Sequence, residues 1–516
     1  MTKTYRIILN TAASYGRSVY GLVLGLFSAR WALSSLGESD LGLYSVVGSL
    51  VLFVGFLNAV SGASIARFYA YSVGKGMRVS LNEASNDLQG WFNTALSVHV
   101  VVPIILVVIG YPVGVWLILH CLEIPQERIC ACICVLRVTL GTMFINMVTL
   151  PYVAMYTAHQ YIANLSAFGV ISSTMIFLGT FFLQKSSGDR LVQYSMLMFF
   201  ANGVLPIIQA LFAYRLFSAC RIRPSQMFRL NRLKRMFGFA GWQLFGGVGN
   251  VLRAQGSAIL VNLSFGARVN AAFSIANQVC AHSASLSASL QGALTPAVTT
   301  AEGAGRHDEA KDLSFRACKF SVLLVLLFAI PLISEIDYVL RWWLKTPPMF
   351  TSQFCIGMLI VLLIDKLTFG HMVAITAVGK IAGYQATLGT LLFITPFIGW
   401  IMINMGMDKI AVPLSYIITV TLCTVGRLVF CRGIVGMSIG YWFKSVFVRV
   451  TFVATIMFAI GVVVKLVMEE SFLRLAVTTF TEDLALIFIS YWFALDKNEL
   501  NFIAQKVKGI FQRWRT

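Results

Sequence analysis

Apolar residues fall along this chain in blocks of bilayer length, separated by short polar stretches that carry most of the Lys and Arg. A crossing helix needs about 20 consecutive apolar residues. At that length the pattern predicts fourteen helical spans: 7–30, 41–63, 92–119, 130–155, 161–183, 192–216, 237–263, 269–297, 317–338, 352–374, 382–403, 410–431, 446–467 and 472–495. The expected fold class is an all-α polytopic membrane protein. The first apolar stretch is long and leads into the second with no small-residue cleavage pattern, so no cleavable signal is expected.

Composition strengthens that reading. Of 516 residues, 58% are hydrophobic and 12% charged, and the mean hydropathy is +0.79. A soluble protein of this size would be left with a large adhesive surface. The net charge of +19 would point to nucleic acid in a soluble protein. Here it has a plainer source, because cytoplasmic loops of membrane proteins collect Lys and Arg, and no nucleic-acid partner is expected. With the N-terminus inside, 26 Lys and Arg fall on the cytoplasmic side and 10 on the other. Both termini are therefore expected in the cytoplasm.

The densest basic run, Arg215 to Arg235, lies between the sixth and seventh spans. It reads either as a solvated topogenic loop or as a capture site for anionic lipid or glycan phosphate. Either way it divides the chain. The expected organisation is an N-terminal lobe at 1–216, a basic cytoplasmic linker at 217–236, a C-terminal lobe at 237–431, two extra spans at 432–495 and a tail at 496–516. In the tail, Asp496 and Glu499 have the spacing of a capping box. Leu500, Ile503, Val507, Ile510 and Trp514 follow at helical spacing among Lys506, Lys508, Arg513 and Arg515, the pattern of an amphipathic helix on an anionic membrane surface.

An internal repeat supports two lobes of six spans each. An offset of 229 residues sets Leu36–Gly37 on Phe265–Gly266, Tyr44–Ser45–Val46 on Phe273–Ser274–Ile275, and Gly74 and Gly76 on Gly303 and Gly305. An even number of spans per repeat implies parallel repeats, an arrangement found in transporters that alternate access about a central site.

Polar stripes mark the helices that turn away from lipid. Span 1 carries Asn10, Ser14, Arg17, Gly21 and Gly25, and the stripe of span 2 ends at Ser61, Ser64 and Arg67. Span 7 carries Gln243, Gly246, Asn250, Arg253 and Ser257, and span 8 carries Ser274, Gln278, Ser285, Ser289 and Gly292. The small residues suit dry helix packing, whereas a guanidinium at membrane depth needs water or an anion. Arg17, Arg67, Arg253, Asn250, Gln243 and Gln278 are therefore the candidate substrate-binding residues of a cationic cavity. Arg137 in span 4 is expected to pair structurally. Spans 9, 13 and 14 read as nearly all apolar. Asp365 is the only acid placed at depth, and Lys366 beside it points about 100° away on a helix, so the two are not expected to neutralise each other. Two roles are open to Asp365: proton or sodium coupling, or an ion pair with an Arg of another helix.

The chemistry of enzymes is missing. Gly74–Lys75 is followed by Gly76 and Gly379–Lys380 by Ile381, so no phosphate-cradling GxxxxGK[ST] loop exists. No HExxH occurs, and the outer loops are too short for a catalytic domain. Most of the ten Cys fall inside apolar segments and read as buried free thiols, with a pairing of Cys121 and Cys130 across a short loop as the alternative, and Cys130, Cys132 and Cys134 spread around a helix rather than converge on a metal. The expectation is a transporter, with no cofactor beyond H+ or Na+ as a coupling ion.

The run LGESDLGLYSVVGSLVLFVGFLNAVSGASIARFYAYSVGKG from Leu36 resembles the start of bacterial polysaccharide flippases, the O-antigen and exopolysaccharide transporters of the multidrug/oligosaccharidyl-lipid/polysaccharide exporter superfamily. The resemblance continues through FAGWQLFGG, LTPAVTTAEGAG, YVLRWWLKTPPMF and AVGKIAGYQ. It implies a flippase that carries undecaprenyl-diphosphate-linked oligosaccharide from the cytoplasmic to the periplasmic leaflet of the inner membrane, for O-antigen, capsule or exopolysaccharide assembly. It further implies a V-shaped pair of lobes, with spans 13 and 14 forming a groove for the lipid tail. Expected partners are the lipid-linked glycan, membrane lipids, and the polymerase and glycosyltransferases of glycan assembly. Two alternatives stand beside it. One is a cation-coupled multidrug exporter of the same superfamily, whose substrates favour cavity carboxylates. The other is a non-transporting scaffold for glycan assembly.

Overall fold

The computed structural model describes residues 3–49, 52–78, 81–122, 124–496 and 499. Among these, fourteen helical elements follow one another: α1 (Lys3–Ser49), α2 (Leu52–Lys75), α3 (Leu81–His120), α4 (Ile129–Ala158), α5 (Ile162–Leu183), α6 (Arg190–Leu216), α7 (Leu230–Gly303), α8 (His307–Leu344), α9 (Thr351–Lys366), α10 (Phe369–Val378), α11 (Ala382–Asn404), α12 (Ala411–Val435), α13 (Ile439–Val467) and α14 (Phe472–Ile489). No strand occurs among the described residues. The fold is all-α and membrane-spanning: among the described residues nine helices are long and apolar enough to cross a bilayer, and α9 with α10 makes a tenth if the bent pair is one span. The nine do not include α2, α7 or α14.

Spans 7 and 8 of the sequence lie end to end in the 74-residue α7, which changes direction at Gly266, φ 82 and ψ 176. Gly37 in α1 has φ 75 and ψ 174. Only glycine reaches such angles without strain, and these two are the glycines the 229-residue offset superimposes. The offset also explains a contact between the ends of α2 and α7. A side chain on Gly74 would strike the carbonyl of Thr300, and one on Gly303 would strike that of Tyr71. Tyr71 and Thr300 are themselves at the same offset, so the contact is reciprocal, like an isologous interface within one chain. Arg78 completes it by donating to the carbonyl of Ala304, just past the end of α7.

The chain forms two compact units, Met1–Leu244 with Thr299–Arg306, and Phe245–Val298 with His307–Thr516. In the first, Leu36 and Val47 pack with Val135, Leu136 and Leu140 of α4 and Leu191 and Tyr194 of α6. The polar stripe of α1 faces α5: Asn10 bonds Gln160 and Ala163 at the turn before α5, and Gly21 lies against Ser173. The second unit repeats that arrangement, with Gly246, Gly249 and Gly256 of α7 against Gln385, Gly389 and Pro396 of α11. Small residues there bring backbones together, as in other membrane helix pairs. The basic segment between α6 and α7 is partly fastened to α3. Asn93 bonds both the carbonyl of Arg221 and the amide of Arg223, and Arg232 pairs with Asp87.

In the second unit α13 and α14 pack on α8, with Val322 and Leu326 against Val450, Val453, Met457 and Leu486. The capping geometry of the tail is present: the Asp496 amide donates to Glu499, and Lys319 of α8 pairs with both carboxylates at 3.3 and 2.9 Å. The amphipathic tail helix, Leu500 to Trp514, lies outside the described residues.

The reciprocal contact sets a test. Gly303→Ala places a methyl group where a carbonyl already sits and should cost about 1–3 kcal/mol of stability. Gly433→Ala meets no neighbour and should be neutral or slightly stabilising. Thermal unfolding of the purified protein in detergent compares the two.

Candidate functional site

The break between α9 and α10 organises the charged centre of the second unit. Their axes differ by 44°, and a broken helix leaves carbonyls that must find donors away from water. Thr424 of α12 donates to the carbonyl of Ile364 at 3.4 Å, Arg427 to that of Asp365 at 3.1 Å, and the Trp442 indole to that of Leu367 at 2.9 Å. Arg427 also donates to the Asp365 carboxylate at 2.8 Å and to the Thr368 hydroxyl at 3.3 Å. One guanidinium thus caps a helix end and neutralises its side chain, combining a dipole-favoured cation with a charge-assisted bond.

This corrects two expectations. Lys366 does reach Asp365, at 3.3 Å, because the helix ends there and the flexible lysine stem folds back. Arg427, which the sequence reading did not single out, is largely enclosed and is the partner of Asp365. Flanked by two cations, Asp365 has the surroundings of a fixed counter-ion. Nor is it the only deep acid, since Glu335 of α8 and Glu482 of α14 are fully buried. Spans 9 and 14 are therefore less apolar inside than their mean hydropathy suggests.

Arg253 of α7 belongs to the same unit. Its guanidinium donates to Asn250 at 2.7 Å and lies over the Tyr416 ring at 4.9 Å, while the Tyr416 hydroxyl bonds the Arg253 carbonyl. Its Nε is buried without a partner, and no carboxylate pairs with it among the described residues. Lys366 and Arg427 pair with Asp365 and Arg253 acts on it electrostatically from further off, so among the described residues the group keeps an excess of positive charge suited to an anion. Gln278 is exposed on α7 beyond Gly266, and Gln243 falls in the first unit.

In the first unit Arg67 of α2 sits among the rings of Phe68, Tyr71 and Phe239, at 5.0, 5.2 and 5.0 Å. Arg17 lies across Gly169 of α5, with its head exposed. Arg137 donates to the Tyr111 hydroxyl of α3 at 2.9 Å, the pairing expected of it. A cavity of about 330 Å³ opens between α1, α2, α4 and α6, with Asn58, Thr139, Thr142, Asn146, Ser195 and Asn202 among its walls. Asn146 bonds the carbonyl of Asn202 within a π-helical turn, Phe200–Val204, a distortion often found where a helix serves a site. None of these wall residues was among the sequence candidates, although Thr139, Thr142 and Asn146 recur at helical steps. Arg427 was legible in the same way, through Tyr416, Thr419 and Cys423 before it.

Residues 204–341 match the family described as polysaccharide biosynthesis protein. Similar solved structures include MATE in the bent conformation, 13% identical over 84% of this chain and 96% of that one, with a TM-score of 0.70. A multidrug resistance MATE family transporter of the MOP superfamily in an outward-facing conformation is 14% identical over 84% and 96%, with a TM-score of 0.66. A MOP superfamily transporter from Pyrococcus furiosus Vc1 (DSM3638), described by the reverse polarity of its binding pocket, is 13% identical over 84% and 96%, with a TM-score of 0.64. No curated protein matches the chain in sequence. The chain is thus a multi-pass α-helical membrane protein with the fold of the MOP-superfamily transporters. Its resemblance to the polysaccharide transporters is supported by the family match, which spans both FAGWQLFGG and LTPAVTTAEGAG.

Removing one member of the Asp365 pair is the informative perturbation. Arg427→Ala strips Asp365 and the α9 terminus of their donor and should cost roughly 3 kcal/mol and lower the amount of inserted protein. Arg427→Met with Asp365→Asn should recover much of that loss. Membrane protein level and thermal unfolding report both.

Proposed function

We propose that the chain is a flippase for a lipid-linked oligosaccharide, moving the undecaprenyl-diphosphate-linked glycan from the cytoplasmic to the periplasmic leaflet by alternating access. The observation that carries this reading is the positive excess around Arg253. A diphosphate, often with an acidic sugar, crosses hydrocarbon only where fixed cations and hydrogen-bond donors replace its water. Arg253 offers that, held by Asn250 and Tyr416 with donor capacity to spare. The family match over 204–341 supports the substrate class. The cavity of the first unit sets hydroxyl and amide groups among Met and Val walls and carries no carboxylate among the described residues, a lining that suits sugar hydroxyls better than a cationic drug.

A multidrug exporter is the second reading, favoured by the fold of the MATE relatives. Its cationic substrates would be repelled by a group of three cations about one acid. The compartment we propose is the bacterial inner membrane, with both termini and the 217–236 segment cytoplasmic and with Asp365 as an anchor rather than a coupling site. The partners we propose are a polymerase and glycosyltransferases.

Arg253→Ala should stop glycan export, seen as accumulation of lipid-linked precursor, at an unchanged protein level. Arg253→Lys should restore part of it, keeping the charge while losing the planar fork. Normal export by a well-expressed alanine variant refutes the assignment. For orientation, a single cysteine at Ser225→Cys should react with an impermeant maleimide only after the inner face is opened. Labelling in intact cells reverses the topology.

A further inference from the structure

Glu482 lies midway along α14 and is completely buried. The Ser334 hydroxyl of α8 donates to its Oε1 at 2.7 Å. Its Oε2 is closed off from solvent and has no hydrogen-bond partner. On the third side α13 passes so closely that a side chain on Gly461 would strike the carboxyl group. Three helices thus enclose one carboxyl with a single neutral donor.

The charges around it do not neutralise it. From α8 come Ser334 and Glu335, and Glu335 takes Arg474 at 2.8 Å and the Thr478 hydroxyl at 3.2 Å. From α13 comes Lys465, one turn beyond Gly461, which is exposed and makes no ion pair with Glu482 among the described residues. From α14 itself come Arg474 and Thr478, both engaged by Glu335, and Asp483, a second acid with Oδ1 buried and without a partner. An ionised Glu482 would therefore hold a bare oxygen in a dry site between two further acids, which is the arrangement in which a carboxyl keeps its proton.

We infer that Glu482 is a proton-binding site enclosed by α8, α13 and α14, filled on the acid side of neutral pH and emptied on the alkaline side, and that losing the proton loosens α14 from α8. The kink of α8 at Glu335, four residues after Pro331, sets Ser334 and Glu335 side by side toward α14 and gives the packing a point at which to yield. The inference rests on this geometry and not on the transported substrate, so its test involves no transport.

Dicyclohexylcarbodiimide attacks protonated carboxyls in apolar surroundings. With the full chain in liposomes, peptide mass spectrometry should find Glu482 labelled, about tenfold faster near pH 6.5 than near pH 9. Glu482→Gln should abolish the label yet fold at the wild-type level, because the amide keeps the Ser334 bond. In detergent the wild type should lose thermal stability over the same pH range relative to Glu482→Gln, since the native state holds a proton that the unfolded chain releases. Labelling of Glu482 only after denaturation, or a stability difference that does not change with pH, overturns the inference. Protection by sodium at constant pH also overturns it, replacing the proton with a metal cation.

Discussion

In hydrocarbon a backbone N–H or C=O without a partner has no water to fall back on. That constraint shows at two places where this chain departs from a regular helix. Where α9 breaks into α10, side chains of Thr424, Arg427 and Trp442 take up the carbonyls of Ile364, Asp365 and Leu367. Within the π-helical turn of α6, Asn146 and Ser172 do the same for Asn202 and Ala201. In both, polar side chains that hydropathy alone would discourage satisfy carbonyls that the helix no longer does.

The same accounting separates three kinds of charged group inside the helices. Arg427 and Asp365 are closed: each neutralises the other, and the backbone shares the guanidinium. Arg253 is open, held in place by neutral groups while its charge stays uncompensated. Glu482 is enclosed on the acidic side, next to a carboxylate whose cation is already taken. A closed pair serves architecture, because altering it costs stability before it alters anything else. The other two are the positions at which we propose that a ligand, anion or proton, acts.

Much of this was legible in the amino-acid order, and the misses have a common cause. Gly37 and Gly266 were visible because a repeat offset is a property of spacing and survives without knowledge of contacts. The α1 and α7 stripes were visible because small residues at helical steps are a periodic signal. Lys366 was misjudged because the 100° rule presumes that the helix continues, and it does not. Arg427 did not stand out, because a single arginine near a span end looks the same whether its stem runs outward to water or inward to a carboxylate. Arg474, Thr478 and Glu482 stand at four-residue steps on α14, yet averaging hydropathy over a span of Phe, Leu and Ile hid them. What sequence could not supply was partnership across helices, on which the meaning of each buried charge depends.

The reciprocal seat of Gly74 and Gly303 ties two distant positions into one constraint. Each glycine receives the carbonyl that stands, in its own segment, three residues before the partner glycine. A methyl group gained on either side meets a carbonyl that the other side cannot withdraw, so neither position is free to change, whatever happens to the rest of its segment.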